Sequence, residues 1–152
     1  MRAIDHPLVR ALLSLELPSA DFVIAGSGPL LAHGIKDDIR DLDVVARGRA
    51  WARACAFGAP EPSPFGEHVE KVAVLDGRIE IFNGWFAEAG SVDELIARSE
   101  VVDGLRYESL ADVRRWKRLL GRPKDRADLA LIERHLGGRA PARPPHAGDP
   151  IP

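Results

Sequence analysis

Two aspartates, Asp41 and Asp43, lie on either side of Leu42 in a segment that continues with Val44 and Val45. The apolar residues predict a strand, and because side chains two apart on a strand face the same side, both carboxylates point one way. Paired carboxylates on one face suit Mg²⁺, a hard cation that prefers oxygen ligands and keeps waters and substrate phosphates in its shell. The alternative is an ordinary strand face exposed to solvent, and an Asp-x-Asp pattern by itself belongs to such a face more often than to a metal site.

A Gly-Ser pair, Gly26 and Ser27, follows the apolar run Phe22–Ala25 and precedes a predicted short helix, Leu30–His33. A strand-to-helix junction of this kind presents free backbone N–H groups and the positive end of the helix dipole, which suits a phosphate group. The alternative is a simple turn followed by a helix N-cap, and the pair alone does not distinguish the two.

Glu80 is a third carboxylate, in the run Arg-Ile-Glu-Ile-Phe. Ile79 and Ile81 occupy one face of this predicted strand, so Glu80 shares the polar face with Arg78. If the strand lies beside the one that bears Asp41, three carboxylates converge, and such a cluster repels itself unless a divalent cation neutralises it. Taken singly, Glu80 is more often an outward-facing strand residue.

The composition limits the class of protein. The chain has 152 residues, 45% of them hydrophobic and 29% charged, which suits one soluble domain with a real core. The formal net charge of −2 does not indicate a nucleic-acid binder, and the single cysteine excludes a disulfide framework and a zinc finger of paired cysteines. No apolar run approaches the ~20 residues of a membrane span, and the first residues do not form a signal peptide. We therefore expect a cytoplasmic protein without a membrane partner.

Turn signals and apolar periodicity predict alternating helices and strands, and hence a mixed α/β fold. The predicted helices are Leu8–Leu15, Leu30–His33, Gly48–Phe57, Ser91–Arg98, Ser109–Leu120 and Lys124–Leu136, and the predicted strands are Phe22–Ala25, Leu42–Val45, Val69–Leu75, Arg78–Phe82 and a short one near Leu105. Gly58–Gly66, which contains three prolines, is predicted to be a loop. The domain is expected to span residues 1–136, and the Pro- and Gly-rich stretch 137–152 to be a flexible tail.

The order and spacing of these motifs carry a resemblance. The segment IAGSGPLLAHGIKDDIRDLDVV resembles the signature of the nucleotidyltransferase superfamily, whose fold is that of the catalytic core of DNA polymerase beta. The ending KRLLGRPKDRADLALIERHL resembles the C-terminal helices of the group that contains abortive-infection toxin nucleotidyltransferases and small antibiotic adenylyltransferases. The resemblance covers about Phe22 to Leu136, and it implies a mixed sheet flanked by helices, with further helices at the C-terminal end.

The resemblance also implies a function, the Mg²⁺-dependent transfer of NMP from an NTP, most simply ATP, to an acceptor. The acceptor would be a small molecule, tRNA or a protein, and the chain could be the toxin of a toxin–antitoxin pair. An oligomer or a partner protein could complete the acceptor cleft. The implied nucleotide-binding residues are Gly26, Ser27, Lys117 and Lys124, and the implied metal-binding and catalytic residues are Asp41, Asp43 and Glu80.

One position departs from the family pattern. Relatives often have Ser or Thr just before the first aspartate, whereas Ile39 and Arg40 precede Asp41 here. This difference keeps a second interpretation open, a non-catalytic nucleotide-binding or protein-interaction module that retains the fold.

The segment Val113–Lys124 contains six basic residues and no acidic one. At helical spacing, its apolar face is predicted to comprise Val113, Trp116, Leu119 and Leu120, with the basic residues up to Arg118 on a solvated opposite face. Lys117 lies at the edge of that face, where it could reach a triphosphate as a point charge. The basic face as a whole could instead contact a polyanionic acceptor such as tRNA.

Overall fold

The computed structural model of the chain describes residues 2–139. The predicted tail begins inside the last helix, which continues to Arg139, and residues 140–152 of that tail lie outside the described residues. No helix within the described part of the chain is long and apolar enough to cross a membrane.

Six helices and seven strands make up this region, with short 3₁₀ turns at Ala3–Asp5, Ser19–Asp21 and Ala87–Ala89. The helices are α1 (Pro7–Ser14), α2 (Gly28–Ala32), α3 (Gly48–Ala54), α4 (Val92–Ala97), α5 (Leu110–Leu120) and α6 (Pro123–Arg139). The strands are β1 (Phe22–Ala25), β2 (Leu42–Ala46), β3 (Glu61–Ser63), β4 (Gly66–Val74), β5 (Ile79–Phe82), β6 (Glu100–Val102) and β7 (Leu105–Tyr107).

All seven strands belong to one sheet in the order β3-β4-β5-β2-β1-β7-β6. β2 pairs parallel with β5 and β1 pairs parallel with β7, whereas the other neighbours are antiparallel. The sheet is therefore mixed and flanked by helices, with two helices at the C-terminal end, and the predicted fold class is confirmed.

Two parts of the sheet differ from the predicted elements. β3 lies inside Gly58–Gly66, which was predicted to be a loop because of its prolines, and β3 is an edge strand, the place where a sheet tolerates proline. The single strand predicted near Leu105 is the second strand of a hairpin, in which β6 and β7 pair across Asp103 and Gly104. Asp103 has a φ of +49° and Gly104 a φ of +81°, as a tight hairpin turn requires.

The two faces of the sheet bury different clusters. On one face, Leu42 and Val44 of β2 and Ile79 and Ile81 of β5 pack in the main core, which also contains buried residues of α1 and α3. On the other face, Val23, Ala25, Val45 and Phe82 pack with Trp85, Phe86, Leu95, Ile96 and Trp116. Since side chains alternate along each strand, Asp43 and Glu80 belong to this second face.

Helices α5 and α6 join at a sharp break. Gly121 ends α5 in the left-handed conformation with a φ of +59°, and Pro123 begins α6, the arrangement expected for a C-terminal glycine followed by an N-terminal proline. Val113 of α5 packs with Leu30 of α2 and Ile132 of α6 in a third, smaller core.

The predicted apolar face of α5 is only partly correct. Val113 and Trp116 are buried, but Leu119 is 55% exposed and Leu120 is 39% exposed. Lys117, predicted at the edge, is instead 6% exposed because two aspartates of α6 surround its ammonium group.

Candidate functional site

The centre of the candidate site is the junction of β2 and β5. The two strands pair in parallel with Asp43 opposite Glu80, and Asp41 comes just before β2, where the N–H of Leu42 donates to the carbonyl of Arg78 at 2.8 Å. The sequence left open whether these strands are neighbours. The structure makes them neighbours in the register that brings the carboxylates together.

The charge of this cluster perturbs its most enclosed member. Burial, followed by the charges of Asp41 and Glu80, raises the pKa of Asp43 to about 7, against the smaller opposing effect of Lys124 and Lys117. Asp43 thus lies in a site with more negative charge than the surrounding residues neutralise. A cation at this position would lower the electrostatic cost of ionising all three carboxylates.

Lys71 of β4 is a part of the site that sequence reasoning missed. Its Nζ donates to Oε2 of Glu80 at 2.5 Å, and this hydrogen bond raises the pKa of Lys71. Lys71 is a diagonal neighbour of Glu80, since Ala73 lies directly opposite Glu80 in the β4–β5 ladder. Period-two counting back from the hairpin turn would have placed Lys71 on the face of Glu80.

Gly26 brings the backbone of the β1–α2 junction against the carboxylates. Its φ is +63°, and a Cβ added at this position would lie 2.7 Å from Oδ2 of Asp43. Any side chain here would therefore suffer both backbone strain and a collision with the acid. The junction needs glycine because of its distance to Asp43.

Ser27 is held in a different way from that expected. Its Oγ donates to Oδ2 of Asp128 in α6 at 3.2 Å, and its side chain makes no capping hydrogen bond to α2. α2 has only five residues, so its dipole is that of little more than one turn. The structure places Ser27 beside the cleft but directs its hydroxyl to α6.

Lys117 and Asp128 form the centre of a buried network. Nζ of Lys117 lies 3.0 Å from Oδ2 of Asp128 and 3.6 Å from Oδ1 of Asp125. Lys36 also donates to Asp128, at 3.0 Å. Burial alone would raise the pKa of Asp128, but the hydrogen bond and charge of Lys117, and those of Lys36, lower it overall. Lys117 therefore ties α5 to α6 and contributes positive charge to the cleft.

The other basic residues of α5 and of the α5–α6 junction lie in two different environments. Arg114 and Arg118 both donate to Glu133 of α6, so these two arginines pack the helices together rather than forming an open cationic face. Lys124 and Arg122, by contrast, line the cleft beside Asp41 and Asp43. Arg122 was not singled out from the sequence.

Arg122 is held in place by Asp125, which is fully buried and accepts from the Arg122 backbone N–H at 3.1 Å and from Nε at 2.6 Å. Burial opposes ionisation of Asp125, but these hydrogen bonds and the Lys117 charge outweigh it and lower the pKa of the carboxyl. A fixed carboxylate therefore orients the guanidinium at the mouth of the cleft.

Glu108 is a fourth carboxyl in the cleft, also missed from the sequence. It directly follows β7, whose Tyr107 pairs with Ile24, so Glu108 and Asp43 lie on opposite sides of Ala25 on the same face. Its side chain is 1% exposed, and burial raises its pKa to about 8, against the opposing effects of the Trp116 indole, the Lys117 charge and the Gly26 N–H. The carboxyl is therefore mostly protonated at neutral pH.

One cleft gathers most of these residues. Among the predicted site residues, the lining includes Gly26, Asp41, Asp43, Glu80, Lys117 and Lys124, but not Ser27. Beyond the carboxylates, one wall of the cleft is aromatic, and we call it the aromatic wall: Phe65, Phe82, Trp85, Phe86 and Trp116. No signal in the local sequence marks this wall, because its members come from a turn, a strand, the segment after β5 and a helix.

The donor set suits a hard divalent cation. Within residues 2–139, no three His, Cys, Asp or Glu side chains are already drawn into a closed metal cluster. The carboxylate oxygens of Asp41, Asp43 and Glu80 are nevertheless the donors that Mg²⁺ prefers, and Asp43 and Glu80 are register partners. Burial first, and then the charges of Asp41 and Glu80, raise the pKa of Asp43, and a divalent cation would favour its ionised form.

Comparisons of the chain with protein-family models, with curated proteins and with solved structures found no match.

Proposed function

We propose that this protein is an Mg²⁺-dependent nucleotidyltransferase that moves NMP from an NTP to an acceptor. The observation that carries the proposal is the register of the β2–β5 pair, which sets Asp43 against Glu80 with Asp41 adjacent. Three carboxylates, a glycine junction and the cationic residues Lys124 and Arg122 share one cleft. That combination of anionic and cationic groups suits a metal-bound triphosphate better than it suits a neutral ligand.

Asp41, Asp43 and Glu80 would hold Mg²⁺, which when bound supplies charge neutralisation on the triphosphate and activation of the attacking oxygen. Lys124 and Arg122 bind phosphate oxygens at the mouth of the cleft, where Arg122 is oriented by Asp125.

The glycine junction acts by its closeness to the carboxylates. Gly26 lets the phosphate groups approach Asp43 without a side chain in between. Ser27, held by Asp128, positions that junction rather than contacting phosphate through its hydroxyl. Lys117 is tied to Asp125 and Asp128, so it acts on the cleft through its charge.

In the proposal, Glu80 first accepts a hydrogen bond from Lys71 and then acts on the cation or the acceptor. In the structure it accepts a hydrogen bond from Lys71, and it must exchange this partner before it can bind a cation or accept the acceptor's proton. Lys71 then lies close to the reacting groups, where its ammonium can stabilise negative charge that develops as pyrophosphate leaves.

A second candidate function is supported by a specific observation. Lys71 already neutralises Glu80, and Lys117 and Ser27 are already satisfied by Asp128, so several polar groups of the site have partners within the chain. A nucleotide-binding module without catalysis would be compatible with such internal pairing.

The test offers each of the four NTPs, labelled on the α-phosphate, with Mg²⁺ and a cell extract. It follows both the transfer of label and the release of pyrophosphate. We expect label on one acceptor class (a small molecule, tRNA or a protein such as an antitoxin) from the wild type and from Asp37→Asn, a matched change at an exposed aspartate. Asp43→Asn should transfer label about 10²-fold or more slowly. Calorimetric binding of Mg²⁺-ATP without pyrophosphate release would favour the non-catalytic module instead.

A further inference from the structure

Three buried side-chain atoms within residues 2–139 have no hydrogen-bond partner: Nε1 of Trp85, Nε1 of Trp116 and Oε2 of Glu108. All three residues line the same cleft as the carboxylates. Folded proteins pair the great majority of buried polar atoms, so a group of three in one cleft points to a partner outside the chain. Trp116 lies against the Glu108 carboxyl, and its indole lowers the pKa of that carboxyl.

The surroundings of these atoms are those of a site for a flat apolar ligand. In the aromatic wall, Phe65 and Trp85 have ring centroids 4.6 Å apart, Phe82 and Trp85 5.2 Å, and Phe86 and Trp116 5.0 Å. Small-molecule sites combine mostly apolar and aromatic walls with a few polar groups that fix orientation. Two indole N–H groups and one carboxyl are such a set.

The position of the wall relative to the metal-binding carboxylates limits what the ligand can be. Phe82 follows Glu80 by two residues on the same face of β5, a separation of about 7 Å along the strand. One sugar ring can bridge that distance. A nucleotide whose phosphates lie at the carboxylates would therefore place its base at the aromatic wall.

We propose that the aromatic wall, with Glu108, Trp85 and Trp116, binds the nucleobase of the NTP, and that the base it selects is adenine. This inference rests on the proposed function, since it assigns the base site of the same nucleotide. The base stacks against the aromatic side chains, and its polar edge pairs with the three unpartnered atoms.

The count of donors and acceptors favours adenine. The two indoles only donate, and Glu108, whose pKa burial raises to about 8, carries a proton at neutral pH. Its carboxyl already accepts from the Gly26 N–H, which leaves the unpartnered Oε2 as an O–H donor. The three unpartnered atoms therefore offer three donors and no acceptor. Adenine has ring-nitrogen acceptors and a single exocyclic amine as donor, whereas guanine brings additional N–H donors that this site would leave unpaired.

Phe65 controls access to this site. It is the one member of the wall that comes from the β3–β4 turn, it is only partly buried, and its ring contacts those of Phe82, Trp85 and Phe86. A shift of this turn would uncover Trp85 without disturbing the sheet.

Intrinsic tryptophan fluorescence tests the inference directly. The chain has three tryptophans, and Trp51→Phe removes the one on α3, which leaves Trp85 and Trp116 as reporters. In this background, adenosine is titrated in EDTA, without phosphates or metal. We expect a saturable change in fluorescence, with an affinity at least tenfold higher than for guanosine, cytidine or uridine.

Two substitutions at Glu108 separate recognition from packing. Glu108→Leu removes the carboxyl group that bonds to the base and should weaken adenosine binding about tenfold, the equivalent of one hydrogen bond. Glu108→Gln keeps one donor and one acceptor and should retain adenosine binding. Glu88→Leu, at an exposed glutamate outside this cleft, is the matched control, and circular dichroism checks that each variant is folded.

The outcomes also distinguish the inference from the proposed function. Absence of an adenosine response in the wild-type cleft, equal responses to all four nucleosides, or unchanged binding by Glu108→Leu would each overturn the inference, even if nucleotidyl transfer is observed. A selective adenosine response that Glu108→Leu weakens would support it, even if no transfer is found.

Discussion

Asp43→Asn should make the metal-free protein more stable, and the gain should depend on pH. In the folded state the pKa of Asp43 is raised from 3.8 to about 7, mainly by burial and then by Asp41 and Glu80. The folded protein therefore keeps this proton to a higher pH than the unfolded chain does. Its free energy of unfolding falls as the pH rises from about 4 to about 7, and the loss is complete above that range.

The magnitude follows from the shift. Roughly three pH units at about 1.4 kcal/mol each give an upper value of about 4 kcal/mol. Asp43 is partly accessible to solvent, so screening reduces this value, and we expect about 1–2 kcal/mol. Asparagine keeps the shape of the side chain but cannot ionise, so the variant should lack this part of the pH dependence.

The assay is urea denaturation in EDTA at pH 4, 6 and 8, for the wild type, Asp43→Asn and the matched control Asp37→Asn. We expect Asp43→Asn to equal the wild type at pH 4 and to exceed it by 1–2 kcal/mol at pH 8, a difference of the size derived above. Asp37→Asn should follow the wild type throughout. In the transfer assay with Mg²⁺, Asp43→Asn should lose about 10²-fold or more in rate.

Two results would refute this reasoning. If Asp43→Asn is less stable than the wild type at pH 8, Asp43 stabilises the fold rather than opposing it. If the variant transfers nucleotide at an unchanged rate, Asp43 does not hold the metal, whatever its effect on stability.

Three further predictions concern the surroundings of the site. In urea denaturation, Gly26→Ala should lower the free energy of unfolding by about 1–3 kcal/mol more than Gly104→Ala does. Both glycines have a positive φ, but only at Gly26 would the added Cβ lie within 3 Å of Asp43. Equal losses for the two variants would mean that this contact does not affect stability. In the same measurement, Asp128→Asn should lower the free energy of unfolding by about 3–5 kcal/mol, since it weakens the buried ion pair with Lys117. The control Asp93→Asn, at an exposed ion pair, should lose no more than about 1 kcal/mol. Lys71→Met should increase the rise in melting temperature that Mg²⁺ causes, because the cation no longer competes with an ammonium group for Glu80. The control Arg49→Met, at an exposed residue, should leave this rise unchanged. A smaller rise for Lys71→Met would show that Lys71 assists the cation instead.

The strand face on which each carboxylate of the site lies could be predicted from the sequence, because it depends on local periodicity. Alternation along β2 and β5 gives the face of Asp43 and of Glu80, and the turn at Asp76 and Gly77 fixes the hairpin that precedes β5. The pairing of β2 with β5 is a long-range property, so local periodicity could not predict whether the carboxylates meet.

The remaining parts of the site come from tertiary contacts that periodicity does not report. Lys117 counts as a polar residue in any helical pattern, yet Asp125 and Asp128 of the next helix bury it. Leu119 and Leu120 count as apolar residues, yet they stay exposed. Glu108 looks like a charged residue after a short strand, and its burial follows only from the pairing of β7 with β1.

The Asp128 network has a consequence for the order in which the site is assembled during synthesis. The three carboxylates, Gly26 and Lys71 all precede residue 81, whereas Lys117, Arg122, Lys124 and Asp128 belong to α5, α6 and the junction between them. A chain emerging from the ribosome would therefore expose the three carboxylates with Lys71 but without the cations of the α5–α6 region. Ser27 and Lys36 acquire their partner only when α6 docks, 101 and 92 residues later in the chain. The nascent protein therefore lacks a complete site until α6 has emerged and docked.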